Sequence, residues 1–181
     1  PAKQHDYNND TFLDMPQTTK YSLYNKWQYG NPSEGLYTIT TFRYLNEKRV
    51  GGQVNFDPAL DKGSNLQYGQ VIDFKQPELH NKISYKFNQS HAIKLESGFS
   101  YHDQESYYGT TYYTADQFNY NINLSHILNW QSHKLTSGLN FNRIKVNENI
   151  YFNDNFHKTY TGIPKDEQIP GLFIENTFSW N

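Results

Sequence analysis

Polar and apolar residues trade places one by one, in runs of about ten residues, from Tyr21 to Trp180. The clearest run is Phe118-Asn119-Tyr120-Asn121-Ile122-Asn123-Leu124-Ser125-His126-Ile127-Leu128. Its even positions are almost all apolar and its odd positions mostly Asn or Ser, so a strand here is oily on one face and wet on the other. The pattern predicts about seven strands, over residues 18–29, 36–49, 79–88, 92–104, 117–129, 134–147 and 171–181. The second alternates least cleanly, because Thr38, Thr40 and Thr41 blur both faces. A face of Asn and Ser backed by aromatic and aliphatic residues suits a wall between lipid and an aqueous lumen.

The connections alternate in length. Residues 31–35, 88–91 and 130–133 are short and polar, as hairpin turns require, whereas 50–78, 105–116 and 148–170 read as long loops. Short turns at one end and long loops at the other mark outer-membrane barrels, with the short turns on the periplasmic side. The expected class is therefore all-β, a segment of a transmembrane antiparallel β-barrel. Trp27, Trp130 and Trp180 extend the apolar alternation of Leu23, Leu128 and Phe178 near strand ends. They read as a membrane-interface girdle. Ser22, Lys26, Lys94, Glu96, Asn119, Asn121, Asn123, Thr136, Asn140 and Asn142 fall on the polar faces, where Lys94 and Glu96 are placed to pair.

Composition narrows the classes without choosing between a barrel and a soluble sandwich. The 181 residues suit one domain; 17% are aromatic, with 16 Tyr and 12 Phe, which fits half-buried strands and not disorder. A net charge of −2 with scattered basic residues offers no footprint for nucleic acid. No apolar run is long enough for a transmembrane helix, a limit that does not apply to strands. With no cysteine, disulfides and thiol chemistry are excluded. The sequence contains no G-x-S-x-G, H-E-x-x-H or P-loop, and Asp166-Glu167 beside Lys165 reads as a solvated charge cluster, so no enzyme is expected.

Two segments carry candidate ligand chemistry. Asp6-x-Asn8-x-Asp10-x-Phe12-x-Asp14 places oxygen ligands at alternate positions, as a calcium loop begins, with Phe12 offering its carbonyl. Thr11 stands where the sharp-turn Gly belongs and Gln17 where a closing bidentate acid belongs. An Asp/Asn-rich turn without metal is the alternative. Tyr107, Tyr108, Tyr112 and Tyr113 crowd an expected loop, where rigid amphipathic rings suit ligand contact; an ordinary Tyr-rich hairpin tip is the favoured alternative. His102, Asp103 and Glu105 lie close by without matching a metal template, and His126 falls on the apolar face.

The stretch from His5 to Pro16, followed by Lys20-Tyr21-Ser22-Leu23-Tyr24-Asn25-Lys26-Trp27, resembles an early barrel segment of TonB-dependent outer-membrane transporters, particularly of Bacteroidetes-type bacteria. Residues 47–53 and 171–178 also look familial. The resemblance implies a barrel of about 22 strands around a plug, importing a scarce nutrient with energy from TonB. It further implies contact with outer-membrane lipid, with the TonB complex through a plug, and with a surface lipoprotein in many relatives. An iron chelate, a cobalamin or an oligosaccharide is compatible as cargo. An odd count of seven strands, a start at Pro1 without Met and a stop at Phe178-Ser179-Trp180-Asn181 suit a segment of a longer chain. The rivals are a secreted soluble all-β binding or adhesion module with a calcium-stabilised loop, and a small eight-stranded outer-membrane barrel with one more strand within 53–75.

Overall fold

The computed structural model describes residues 5–152, 159–162 and 164–180. The strands are β1 (Gln17–Asn31), β2 (Glu34–Gly52), β3 (Gly69–Lys86), β4 (His91–Tyr108), β5 (Thr111–Trp130), β6 (His133–Phe152), β7 (Thr159–Thr161) and β8 (Lys165–Phe178). All lie in one antiparallel sheet, each of β1 to β6 pairing with the next. β7 and β8 both pair with β6 and share the seventh position in the sheet. Asn149 pairs with Thr161 and Val146 with Lys165, so the two strands meet β6 one residue out of step with each other. β1 pairs only with β2, and β8 only with β6, so the sheet stays open among the described residues. Among those residues no helix is long and apolar enough to cross a membrane, which says nothing of strands.

The seven expected strands are present in their expected order, but they run further than the alternation implied. β3 begins at Gly69, taking in Gln70–Phe74 and leaving a loop of 53–68 where 50–78 was expected. No eighth strand arises from the 53–75 stretch. β4 and β5 run on until they meet at Gly109 and Thr110, so the expected 105–116 loop is a tight hairpin. Gly109 turns there with a φ of 58°, where a side chain is disfavoured. Parts of the 148–170 loop, and Asn181 at the end of the expected last strand, lie outside the described residues.

Register explains the missed length, because paired residues share a face. One face carries the rungs Leu23–Tyr44–Pro77, Tyr101–Phe118, Phe42–Leu79–Phe99–Tyr120 and Ile83–Leu95–Leu124–Leu139–Leu172. On β5 this apolar band runs from Phe118 to Leu128, roughly 35 Å at 3.3 Å per residue. Beyond it, away from the short turns, the polarity changes sides. Ile72, Phe74, Ala115, Val146 and Ile150 occupy what had been the polar face, and Lys48, Asp73, Lys75, Asp103, Glu105 and Asp116 what had been the apolar one. The switch falls between Phe74 and Leu79 on β3 and between Ala115 and Phe118 on β5, and slightly nearer the turns on β6, between Phe141 and Val146.

Among the described residues no second layer covers the band. Phe56 and Val71 are the only buried apolar side chains among the described residues, whereas Leu139, Leu172 and Ile174 are 60%, 80% and 72% exposed. Hydrogen bonding within the sheet, and not a closed core, organises this chain.

Candidate functional site

Every polar-face residue expected from the alternation lies on one side of the sheet, opposite the band. Ion pairs run across this side: Arg43–Glu78 at 2.5 Å, Lys82–Glu96 at 3.9 Å and the expected Lys94–Glu96 at 3.0 Å. Further out, Glu47 contacts Arg49 and, at 3.4 Å, Lys20. The Arg49 hydrogen bond, then Lys20, holds the Glu47 carboxyl below the usual carboxylate range against the opposing effect of burial. Across β5 and β6 the same side turns neutral, with Asn121 paired to Asn142 and Asn123 to Asn140.

Tyr107, Tyr108, Tyr112 and Tyr113 stand on strand ends and not in a loop, and they divide between the two faces. Tyr107 and Tyr112 are register partners with ring centroids 4.6 Å apart, and Tyr151 continues the row 5.5 Å from Tyr112. Tyr113 faces the other way and donates to Glu148 Oε2 at 3.2 Å. Burial raises the Tyr107, Tyr112 and Tyr113 phenol pKa values, with neighbouring Glu105 or Glu148 adding to it. His102 also faces away from Asp103 and Glu105 and is held by Gln76 and Gln104 at 2.9 and 3.1 Å, so these three do not converge.

The 53–68 loop folds over the outer end of the face that carries the band. Phe56 lies so close on Gly69 that a Cβ there would sit 2.4 Å from its ring. Lys62 stands 4.3 Å over the Tyr107 ring with its Nζ 3.3 Å from Glu105. Beneath the loop a cavity of about 260 Å³ opens between Lys48, Lys62, Lys75, Asp73, Asp103 and Glu105, floored by Val71 and Tyr107. Sequence reading singled out Tyr107, Asp103 and Glu105 but missed Lys48, Lys62, Lys75 and Asp73, because the residues come from three strands and a loop and only register brings them together.

In the N-terminal loop, Asp6 accepts the Asp10 and Thr11 N–H groups, Asp10 accepts that of Phe12, and Asp14 accepts that of Tyr7. Asn8 donates its amide to Asp10 at 2.9 Å. Thr11 adopts a φ of 72°, the left-handed turn that the Gly of a calcium loop would make. Leu13 N–H to Gly52 O, at 2.8 Å, ties the loop to the outer end of β2. Among the described residues no three acidic or His side chains converge as a metal site.

Trp27 and Trp130 keep the face expected of them, and Trp180 lies just past the end of β8. Trp130, His133, Phe178 and Trp180 form one chain of ring contacts at the turn end, with successive centroids 5.0, 4.9 and 5.9 Å apart. Trp27 is not part of it: its rung passes through Ile122 and Phe141, well short of the Trp130–His133 rung. His126, also on the band, has Nε2 3.2 Å from His91 Nδ1. Comparison with models of known protein families, with curated proteins and with solved structures gives no match.

Proposed function

We propose that this sheet is a stretch of the wall of a transmembrane β-barrel in a bacterial outer membrane, part of a TonB-dependent transporter importing an iron chelate, a cobalamin or an oligosaccharide. The observation that supports the wall is the common level at which polarity changes sides. Tilted at about 45°, the Phe118–Leu128 run of β5 rises about 25 Å, the height of a lipid-facing band. Past that height both faces meet water, and the outward face becomes charged while the inward face takes the apolar residues. A soluble sandwich has no reason to invert its faces at one level on neighbouring strands. In lipid the open edges of β1 and β8 require partner strands, which the rest of the barrel supplies.

The polar face then lines the lumen, the turn at Gln131–Ser132 is periplasmic, and the 53–68 loop is extracellular. The TonB-dependent activity rests on the resemblance of the His5–Pro16 stretch and the Tyr-rich β1. Its partners are outer-membrane lipid, a plug that contacts the TonB complex, and a surface lipoprotein. Envelope fractionation tests the proposal. The native polypeptide is expected in the outer membrane, with electrophoretic mobility that changes on boiling; recovery in the soluble or secreted fraction overturns it.

A further inference from the structure

We infer that the cavity beneath the 53–68 loop holds the headgroup of a zwitterionic, phosphoethanolamine-type lipid whose acyl chains lie on the apolar band below; this rests on the wall reading. Position is the first support. Lys75 and Asp103 pair with one another two residues beyond Pro77 on β3 and Tyr101 on β4, the edge of the band, about 7 Å along each strand. The headgroup layer on each side of a bilayer is about 5–8 Å thick. The cavity therefore opens on the lipid side at headgroup depth, and its volume of about 260 Å³ suits a headgroup better than a bulky nutrient.

Charge is the second support. Three lysines and three carboxylates line the cavity. Lys62 is committed to Glu105, whereas Lys48 and Lys75 make no ion pair among the described residues. Their register partners across the strands are Asp73 and Asp103. A purely anionic group would meet the lysines but bring its charge against Asp73, Asp103 and Glu105. A phosphate carrying an ammonium satisfies both sets, the phosphate at Lys48 and Lys75 and the ammonium at the carboxylates. Lys62, drawn over Tyr107 by the loop, closes the outer side.

The test uses the intact native protein, purified from outer membranes in detergent and stripped of bound lipid. Native mass spectrometry compares phosphatidylethanolamine, phosphatidylglycerol and diacylglycerol of equal chain length. Phosphatidylethanolamine is expected to be retained above both, and Lys48→Gln with Lys75→Gln to reduce that preference roughly fivefold to tenfold, about 1 kcal/mol or slightly more. Lys145→Gln, on the same face outside the cavity, should leave it unchanged. Equal retention of all three lipids, or preference for phosphatidylglycerol, overturns the headgroup inference and leaves the wall intact. Binding of glycerophosphoethanolamine as strong as that of the lipid makes the cavity a site for a soluble ligand and also overturns it. Failure to retain any lipid overturns the wall reading itself.

Discussion

Leu124 and Asn123 are chain neighbours on opposite faces, and replacing each with Arg separates the proposed lipid side from the lumen side. Leu124 is 43% exposed and sits in the rung Ile83–Leu95–Leu124–Leu139–Leu172, near the middle of the band. Arg on the lipid face of a barrel costs about 2–4 kcal/mol at the bilayer midplane and about 0–1 near the interfaces. Leu124→Arg is therefore expected to shift the folding equilibrium by roughly 30-fold to 1,000-fold. At Asn123 the register partners are Glu96 and Asn140, and the Oδ1 atom is buried without a hydrogen-bond partner, so little is lost. An Arg near Glu96 is worth about 0–1 kcal/mol in either direction. Urea unfolding of the intact protein in phospholipid vesicles, followed by the boiling-sensitive gel shift, measures both. A soluble core would also reject Arg at Leu124, so the decisive feature is depth: along Phe118, Ile122, Leu124 and Leu128 the penalty should peak at Ile122 and Leu124 and fall at both ends. A flat profile, or equal penalties at Asn123 and Leu124, refutes the assignment of faces.

Three further outcomes follow from the outer end. Thr11, β-branched at a φ of 72°, carries strain that Gly removes, so Thr11→Gly should stabilise the loop by up to about 1 kcal/mol, read as slower amide exchange at Leu13 and Val54. Gly69→Ala places a methyl against the Phe56 ring and should cost about 1–3 kcal/mol, seen as faster protease cleavage within 53–68. Glu47 has a lowered pKa, so its contribution to stability is present above the unfolded carboxylate value of about 4.3 and is lost only as pH falls through the lower folded value. Glu47→Gln should reduce the loss of stability on acidification below about pH 4.5, measured by unfolding at stepped pH; an unchanged acid profile would remove Glu47 from the account.

The sequence made the inner half of each strand legible and hid the outer half. Asn119, Asn121 and Asn123 against Tyr120, Ile122 and Leu124 announce a strand with two unlike faces, and polar turns at 31–35 and 130–133 fix its ends. The expected third strand began at Leu79 because Ile72 and Phe74 are out of phase with Leu79, Ile83 and Tyr85. That phase slip looks like a strand end, although pairing continues unbroken from Lys86 out to Gly52 and Gly69. The same slip, Tyr113 and Ala115 against Phe118 and Tyr120, turned a strand extension into an expected loop and placed four tyrosines at one site. Alternation reports which side of a strand meets water, and where both sides do it loses its phase. The cavity was illegible for a different reason: Lys48, Lys62, Lys75 and Asp103 are distant in the chain and become neighbours only through register and the fold of the 53–68 loop.

The absence of cysteine from this sequence permits the most direct measurement. Single cysteines placed in turn from Tyr113 to Leu128 in the intact protein, spin-labelled in a bilayer, report access to oxygen dissolved in lipid and to a water-soluble nickel chelate. The account predicts oxygen access with a period of two, highest at Tyr120, Ile122 and Leu124, and its loss at Tyr113 and Ala115, where the chelate takes over on both faces. Chelate access at Ile122 and Leu124 equal to that at Asn121 and Asn123, or oxygen access that continues unchanged to Tyr113, would contradict it.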